Sequence, residues 1–254
     1  MKQINLIPLA GAGSRFIKEG YKDPKPLIMV DNIPMIIRAA QDLPNADEWV
    51  FICRTEHIKN YPLNEIIEKK YPGCKIIDID YLTEGQASTC LLGEKYIDKN
   101  NPLLIGACDN GIIYNKEKFN QLIKDEKIDV VVFSFRNNVT VERNPKSYGW
   151  IKTDNNNNII KMSVKVPISD NPKNDHAVVG TFWFRKGKNF IDAAKDMMKK
   201  NIRINNEFYV DECINNASQM GLRAKVFEVD KYICWGSPND LRTYNYWKEY
   251  FKNN

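Results

Sequence analysis

Short apolar runs alternate with longer segments in which apolar residues recur every three or four positions, and this alternation organises the first half of the chain. Ile4–Pro8, Trp49–Cys53, Lys75–Ile79, Leu103–Ala107 and Val130–Ser134 have the length and apolar density of buried strands. Between them, Pro34–Asp42, Tyr61–Lys70, Gln86–Tyr96 and Lys116–Asp125 carry helical periodicity. Strand and helix in strict alternation predict an α/β fold with a mostly parallel sheet flanked by helices. The pattern changes near Tyr148. Tyr148–Thr153 and Ile159–Ser163 flank an Asp-Asn-Asn-Asn-Asn run and read as a hairpin, and Asp170–Asp175 is a polar loop. Val178–Arg185 and Ala224–Val229 follow as strands, and Asn189–Lys200, Val210–Met220 and an aromatic-rich Asp240–Phe251 as helices. No flexible linker divides the halves, so residues 1–254 read as one domain with two lobes, 1–147 and 148–254.

Composition narrows the classes that this pattern allows. The chain has 254 residues, 43% of them hydrophobic, enough for a substantial core. No apolar run approaches the length of a membrane span, and Met1-Lys2-Gln3 runs straight into a strand with no signal peptide visible. The six cysteines (Cys53, Cys74, Cys90, Cys108, Cys213 and Cys234) form no Cys-x-x-Cys pair and read as free thiols in a reducing cytoplasm. With only His57 and His176 present, a histidine-based metal site or catalytic triad is not expected. The net charge of +5 suits a polyanionic substrate. Its lysines are dispersed, and those at 186, 188, 195, 199 and 200 read as a solvated helix face, so neither nucleic acid nor membrane is an expected partner. A homo-oligomer stays open.

The segment Leu9-Ala10-Gly11-Ala12-Gly13-Ser14-Arg15-Phe16 carries the strongest chemical signal. It follows the first strand and precedes Asp23-Pro24-Lys25-Pro26-Leu27. Gly11 and Gly13 permit a tight turn that brings backbone N–H groups to an anion. Arg15 offers a planar fork and Lys25 a point charge, together a cradle for a polyphosphate. A dinucleotide fingerprint would want a third glycine where Phe16 stands, although Asp31 lies near its acidic position, and the Walker pattern lacks its Gly-Lys-Ser/Thr. A plain structural turn is the remaining reading.

These motifs resemble the N-terminal signature of nucleotidyltransferases with the GT-A-like fold, which include the sugar-1-phosphate thymidylyl-, uridylyl-, guanylyl- and cytidylyltransferases. The likeness is closer to the compact members found in bacterial capsule and surface-polysaccharide loci. Ala10 stands where the fuller motif has one more glycine. The resemblance covers nearly the whole chain and implies a Rossmann-like, mostly parallel sheet with a small mixed β acceptor lobe. It implies an enzyme that joins an NTP to a phosphorylated small molecule with release of pyrophosphate. Residues 1–147 would bind the nucleotide and 148–254 the acceptor.

The resemblance extends to individual residues. Asp109, in Gly106-Ala107-Cys108-Asp109-Asn110, matches the family's metal motif and would hold Mg²⁺; its bland reading is a turn cap. Thr83, Gly85 and Gln86 lie in a segment similar to the one that contacts the base, Gly85 by letting a flat base approach. As a helix start, Thr83 would instead cap Gln86–Tyr96. Tyr148 and Gly149, Lys165, Gly180 and Thr181, and Glu207 match segments that line the acceptor. Asn206 with its acidic neighbours reads equally as an ordinary helix start. Val164 replaces the usual glutamate before the lysine, which favours a non-sugar acceptor such as a phosphorylated amino acid, phosphocholine or a phosphonate. Cys234 aligns with the second metal ligand, a poor donor for magnesium, which leaves Asp211 or Asp230 as substitutes, or no second ligand at all. CTP is the favoured nucleotide, ahead of UTP or dTTP. In this scheme Arg15, Lys25 and Lys165 are the catalytic cations: Arg15 neutralises the leaving pyrophosphate, Lys25 acts at the α-phosphate and Lys165 holds the acceptor phosphate. The alternatives are a conventional sugar-1-phosphate enzyme, a nucleotide-sensing protein, and a glycosyltransferase using Asp78-Ile79-Asp80 as its metal motif.

Overall fold

The structure is a computed structural model that describes residues 2–253; Met1 and Asn254 lie outside the described residues. In chain order the strands are β1 (Ile4–Leu9), β2 (Met29–Val30), β3 (Ile33–Pro34), β4 (Glu48–Arg54), β5 (Lys75–Ile79), β6 (Leu103–Ile105) and β7 (Asn110–Ile113), then β8 (Val130–Phe135), β9 (Gly149–Thr153), β10 (Ile159–Val164), β11 (His176–Phe184), β12 (Ala224–Glu228) and β13 (Lys231–Cys234). The helices are α1 (Ser14–Lys18), α2 (Met35–Gln41), α3 (Thr55–Asn60), α4 (Leu63–Lys70), α5 (Gln86–Leu91) and α6 (Lys116–Lys124), then α7 (Thr140–Arg143), α8 (Gly187–Lys199), α9 (Val210–Gln219) and α10 (Pro238–Asn253).

Nine strands form one sheet in the order β10-β9-β11-β6-β1-β4-β5, with β8 on the other side of β11 and β12 beside β8. The ladders β6–β1–β4–β5 and β8–β12 are parallel, and only β10 and β11 run against the rest. The sheet is therefore mostly parallel, as the alternating pattern predicts. Its central strands are apolar on both faces because helices cover both. Ile4, Leu6, Val50, Ile52, Leu103 and Ile105 pack toward α5, α8 and α9. Ile7, Leu9, Phe51, Cys53 and Leu104 pack toward α2, α4 and α6. A smaller cluster of Phe16, Ile28, Val30, Met35, Trp235 and Leu241 ties α1 and the Pro24–Leu27 turn to α10.

The sequence reading needs local correction. The helix expected at Tyr61–Lys70 forms as α4 and starts two residues later, at Leu63, after a turn at Tyr61 and Pro62; the short α3 before it has no counterpart in the pattern. Gln86–Tyr96 breaks after Leu91 into a 3-10 turn at Glu94–Tyr96, with Gly93 wedged against Leu6. The strand at 103 ends at Ile105 rather than Ala107. Helix α9 begins at Val210, where the periodicity places it, so Asn206 is not a helix start. Asn205 and Asn206 sit at φ 50° and 65° in a tight turn closed by reciprocal bonds between Ile204 and Glu207. Two consecutive left-handed residues suit asparagine, the signature of a primed hairpin turn.

The sheet directs the site to one edge. β1 and β6 are paired neighbours, so the loop leaving β1 and the segment leaving β6 emerge side by side at their carboxyl ends, where open α/β sheets bind ligands. β11 supplies the second feature. Its C-terminal half pairs with β6, its N-terminal end pairs with β9, and its register breaks between Val178 and Phe182. At the break Gly180 has φ 91°, and its missing Cβ leaves just enough room for Ala107.

Candidate active site

Two adjoining cavities open where these loops meet. One, of about 460 Å³, is lined by the Leu9–Phe16 loop, Lys25, Thr83, Gly85, Gln86 and Cys108. The other, of about 630 Å³, is lined by Asp109, Asn110, Tyr148, Gly149, Gly180, Lys165, Asp211 and Asp240, among others. Arg15, Gln86, Glu207 and Gly236 belong to both walls.

In the first cavity the loop is shaped by its glycines. Gly13 adopts φ 61° ahead of α1, and a Cβ there would crowd Lys25. A Cβ on Gly11 would meet nothing, so its backbone faces open space, as close approach of an anion requires. Phe16 anchors α1 in the core, while Arg15 one position earlier is exposed and makes no hydrogen bond or ion pair among the described residues. Lys25 is fixed by the turn between Pro24 and Pro26 and is ion-paired with Asp109. Burial works against both charges, but their mutual attraction and hydrogen bond outweigh it. The Lys25 ammonium is held above its ordinary value and the Asp109 carboxyl below. Arg15 also favours the charged Asp109.

The 83–86 segment departs from two expectations. Gly85, at φ 125°, caps α5 with no side-chain bond, so Thr83 is not the helix cap. Its hydroxyl instead meets the Gly85 carbonyl at 3.1 Å and the Thr89 hydroxyl at 2.5 Å. The space left by the Gly85 side chain is filled by the backbone of Phe208, 2.6 Å from where a Cβ would sit. Glycine is required there by the neighbouring chain; room for a base is a lesser matter. Bonds from Phe208 N–H to the Glu84 carbonyl and from Ala87 N–H to the Phe208 carbonyl lock this segment to the turn that carries Glu207. The Gln86 side chain makes no hydrogen bond among the described residues and faces both cavities.

In the second cavity Lys165 sits at φ 63°, a left-handed conformation uncommon for lysine, and donates to the Ser147 carbonyl at 2.7 Å. Its ammonium lies 5.5 Å from the Tyr209 ring centre. Burial pushes it below its usual value, Asp211 and Glu207 oppose that shift, and Arg15 reinforces it. Asp211, at the start of α9, is pushed up to about 6 by burial, with Lys165 opposing. It abuts Gly149, where any side chain would run into the Asp211 carboxylate. Tyr148 lines the cavity and packs against Phe135 and Trp150, and burial pushes its phenol up to about 12.

Thr181 is the one expected acceptor residue that the structure removes. It is fully buried, lines neither cavity, and its hydroxyl has no hydrogen-bond partner. The turn at Gly180 faces the cavity, and the next residue returns into the sheet. Val164 is also buried, paired across the hairpin with Gly149. Two alternatives lose their anchors as well. Asp31 is bonded by Tyr244 and Lys248 of α10, and Asp78 accepts from Thr55; neither Asp31, Asp78 nor Asp80 lines a cavity.

A magnesium ion needs one or two carboxylates and completes its shell with water and substrate phosphates. Asp109 fits that requirement as a single anchor. The Cys234 thiol and the Asp109 carboxylate both border the space that a side chain on Gly236 would take, and burial, with Asp240 and Asp109 nearby, pushes the thiol up to about 12. It stays neutral and is a weak magnesium donor. Asp230 lines neither cavity, and Asp211 stands beside Gly149 and Lys165. No group of three His, Cys, Asp or Glu side chains suited to a metal exists among the described residues.

Several lining residues carry no motif in the sequence. Arg143 on α7 and Asn239 and Asp240 on α10 join the second cavity from far along the chain. A hint exists only for Asp240, three residues after Ser237, whose hydroxyl bonds its carboxylate at 2.5 Å.

A mostly parallel sheet with a glycine-rich loop and a half-buried lysine–aspartate pair at one edge is the architecture of a nucleotide-handling transferase. The family model for nucleotidyl transferases matches residues 4–248, and the chain belongs to that family. Among curated proteins, the bifunctional protein GlmU of Methanocaldococcus jannaschii is 22% identical over 183 residues, covering 71% of this chain and 40% of that protein. The chain thus spans about two fifths of that relative's length. A nucleoside-diphosphate-sugar pyrophosphorylase from Vibrio cholerae superposes with TM-score 0.74 at 18% identity, over 94% of this chain and 98% of the other. The inositol-1-phosphate CTP transferase from T. maritima gives 0.74 at 14% identity, over 97% and 94%. A UDP-glucose pyrophosphorylase complexed with UDP-glucose gives 0.74 at 18% identity, over the full length of both chains. At these identities the likeness establishes the shared fold.

Proposed function

We propose that this nucleotidyltransferase couples a pyrimidine NTP, CTP first, to a phosphorylated non-sugar acceptor, supplying an activated precursor for capsule or surface-glycan decoration in the cytoplasm. The observation that carries this reading is the shared wall between the two cavities, where Arg15, Gln86 and Glu207 face both. A polyphosphate on the Gly11–Gly13 loop and an acceptor phosphate on Lys165 would meet there.

In the reaction an acceptor phosphate oxygen attacks the α-phosphorus, the bond from that phosphorus to the bridging oxygen of the β-phosphate breaks, and pyrophosphate leaves. The nucleophile is already anionic, so no protein base is required. The residues bring two polyanions together and offset their repulsion. Arg15, unpaired among the described residues, has no contact to surrender and serves the leaving group. Lys25, kept charged by Asp109, lies beside the loop and serves the α-phosphate. Asp109 would anchor Mg²⁺, which neutralises phosphate charge when bound. The Gln86 amide, free of protein partners, offers a donor and an acceptor to a pyrimidine edge. No helix among the described residues is long and apolar enough to cross a membrane.

A second reading, a conventional sugar 1-phosphate acceptor, is favoured by Asp211. Its carboxylate lies in the acceptor cavity beside Gly149 and could take over the hydroxyl contacts that Val164 cannot make. Mixing each of the four NTPs with sugar and non-sugar phosphates and measuring pyrophosphate tests both. Release with CTP and a non-sugar phosphate alone supports the first. Efficient release with glucose 1-phosphate, at kcat/KM of about 10⁴ M⁻¹s⁻¹ or above, supports the second.

A further inference from the structure

Three cations, Arg15, Arg143 and Lys165, line the acceptor cavity among four acids, Asp109, Glu207, Asp211 and Asp240, and of the three only Arg143 has no part in the proposed phosphate chemistry. Arg143, the last residue of α7, lines it and also lines an adjoining, largely apolar groove beneath α10. Its guanidinium makes no ion pair or hydrogen bond among the described residues. Helix α7 is nonetheless firmly placed. Val141 is buried beneath it, the Thr140 N–H and hydroxyl both bond the Asn138 side chain at 3.0 and 2.8 Å, and Trp150 donates to the Pro145 carbonyl just beyond it. The same strap supplies the Ser147 carbonyl that holds Lys165. Arg143 and Lys165 are therefore two cations in the wall of one cavity, and Lys165 lies near enough to Arg15 and Asp109 to feel both charges. Arginine's planar fork matches a carboxylate in geometry, and a fork unpartnered among the described residues, carried into a cavity by a firmly placed helix, can take one.

We propose that the acceptor carries a carboxylate in addition to its phosphate, and that Arg143 binds it. The inference rests on the non-sugar reading of this cavity and selects within it: a phosphorylated hydroxy or amino acid fits, whereas phosphocholine, which ends in a cation, does not. The carboxylate is unchanged by the reaction and serves to orient the phosphate held by Lys165.

Two pairs of probes isolate the carboxylate: 3-phosphoglycerate against glycerol 3-phosphate, and O-phosphoserine against phosphoethanolamine. Each is mixed with CTP and wild-type enzyme, and initial pyrophosphate release is followed with glucose 1-phosphate in parallel. The expected ratio of kcat/KM within each pair is roughly 10- to 100-fold in favour of the carboxylate member, since loss of a charge-assisted pair at a cavity rim costs less than at a fully buried one. Arg143→Gln should bring the ratio to about one, and Arg143→Lys should restore part of it, because a lysine keeps the charge but not the fork. Glu142→Gln, on the same helix but outside both cavities, should keep the wild-type ratio. Ratios near or below one, a ratio that survives Arg143→Gln, or no reaction with either carboxylate member would overturn the inference. If glycerol 3-phosphate and phosphoethanolamine react without such a preference, the inference falls and the non-sugar reading stands. If glucose 1-phosphate alone reacts, the non-sugar reading falls with it.

Discussion

The nucleotide cavity and the acceptor cavity are built in different ways. The first is built around one contiguous loop, Leu9–Phe16, and the proline-framed Lys25, whose partner Asp109 follows β6 and stands in the wall of the second cavity; the 83–86 segment, Glu207 and Gly236 complete it. The second is assembled from single residues at distant points, Lys165 from the end of a hairpin, Asp211 from α9, Arg143 from α7 and Asp240 from α10. A contiguous loop keeps the backbone geometry that a triphosphate needs. A wall made of separate side chains can change one contact without disturbing the others. On the proposed assignment of the two cavities, the phosphate cradle rests on a backbone turn, whereas contacts to the acceptor rest on scattered side chains.

Substitutions should separate the two regions. The largest effect belongs to Asp109→Asn, which should cut turnover by roughly 10³-fold and lower the Tm, since Lys25 loses the partner that holds it charged in a buried place. Steady-state kinetics with thermal unfolding on the same protein checks both. Arg15→Ala should cost roughly 100-fold in turnover yet leave the Tm unchanged, because the side chain is exposed and touches no partner. A normal rate in a folded variant would take Arg15 out of the site.

A smaller, pH-dependent effect is expected of Asp211→Asn. The folded-state carboxyl lies at about 6, above its ordinary value, chiefly through burial. Its contribution to stability is thus complete below the unfolded value and is lost as pH rises through about 6. Asparagine has no charge to bury, so the variant should gain on wild type between pH 4.5 and 7.5, by about 2 kcal/mol or less. The Tm difference measured across that range should change; a flat difference would contradict the burial of a charged Asp211. The smallest effect is Thr181→Val, which removes a buried hydroxyl with no partner. It should stabilise by about 1 kcal/mol and leave turnover within twofold. A marked loss of activity would return Thr181 to the acceptor wall.

The same contrast explains what could be read in the sequence. The strand–helix alternation and the Leu9–Phe16 loop were legible because each is encoded in neighbouring residues with a strict period or glycine placement. The Asp109 site was legible because an apolar strand ending in an acid is a local pattern. At Asn206 the sequence leaves a helix start open as the plain alternative, since asparagine serves caps and turns alike, and only the closing bonds between Ile204 and Glu207 decide for a turn. The short β7–β13 pair, which brings Cys234 beside Asn110, joins segments more than a hundred residues apart and has no local signal. Arg143 was invisible for the same reason. Thr181 was misassigned because the Val178–Phe182 irregularity in β11 changes which side chains face the cavity, and a register break is not written in a hydrophobic pattern.

The central claim is that one nucleotidyl group crosses the wall shared by the two cavities. CTP labelled at the α-phosphorus, incubated with enzyme and the best phosphorylated acceptor, tests it directly. The account predicts that the label appears in a product containing both the cytidylyl group and the acceptor, with unlabelled pyrophosphate released in equal amount. Label recovered only as free CMP, or transfer of a γ-label to the acceptor in its place, would contradict it.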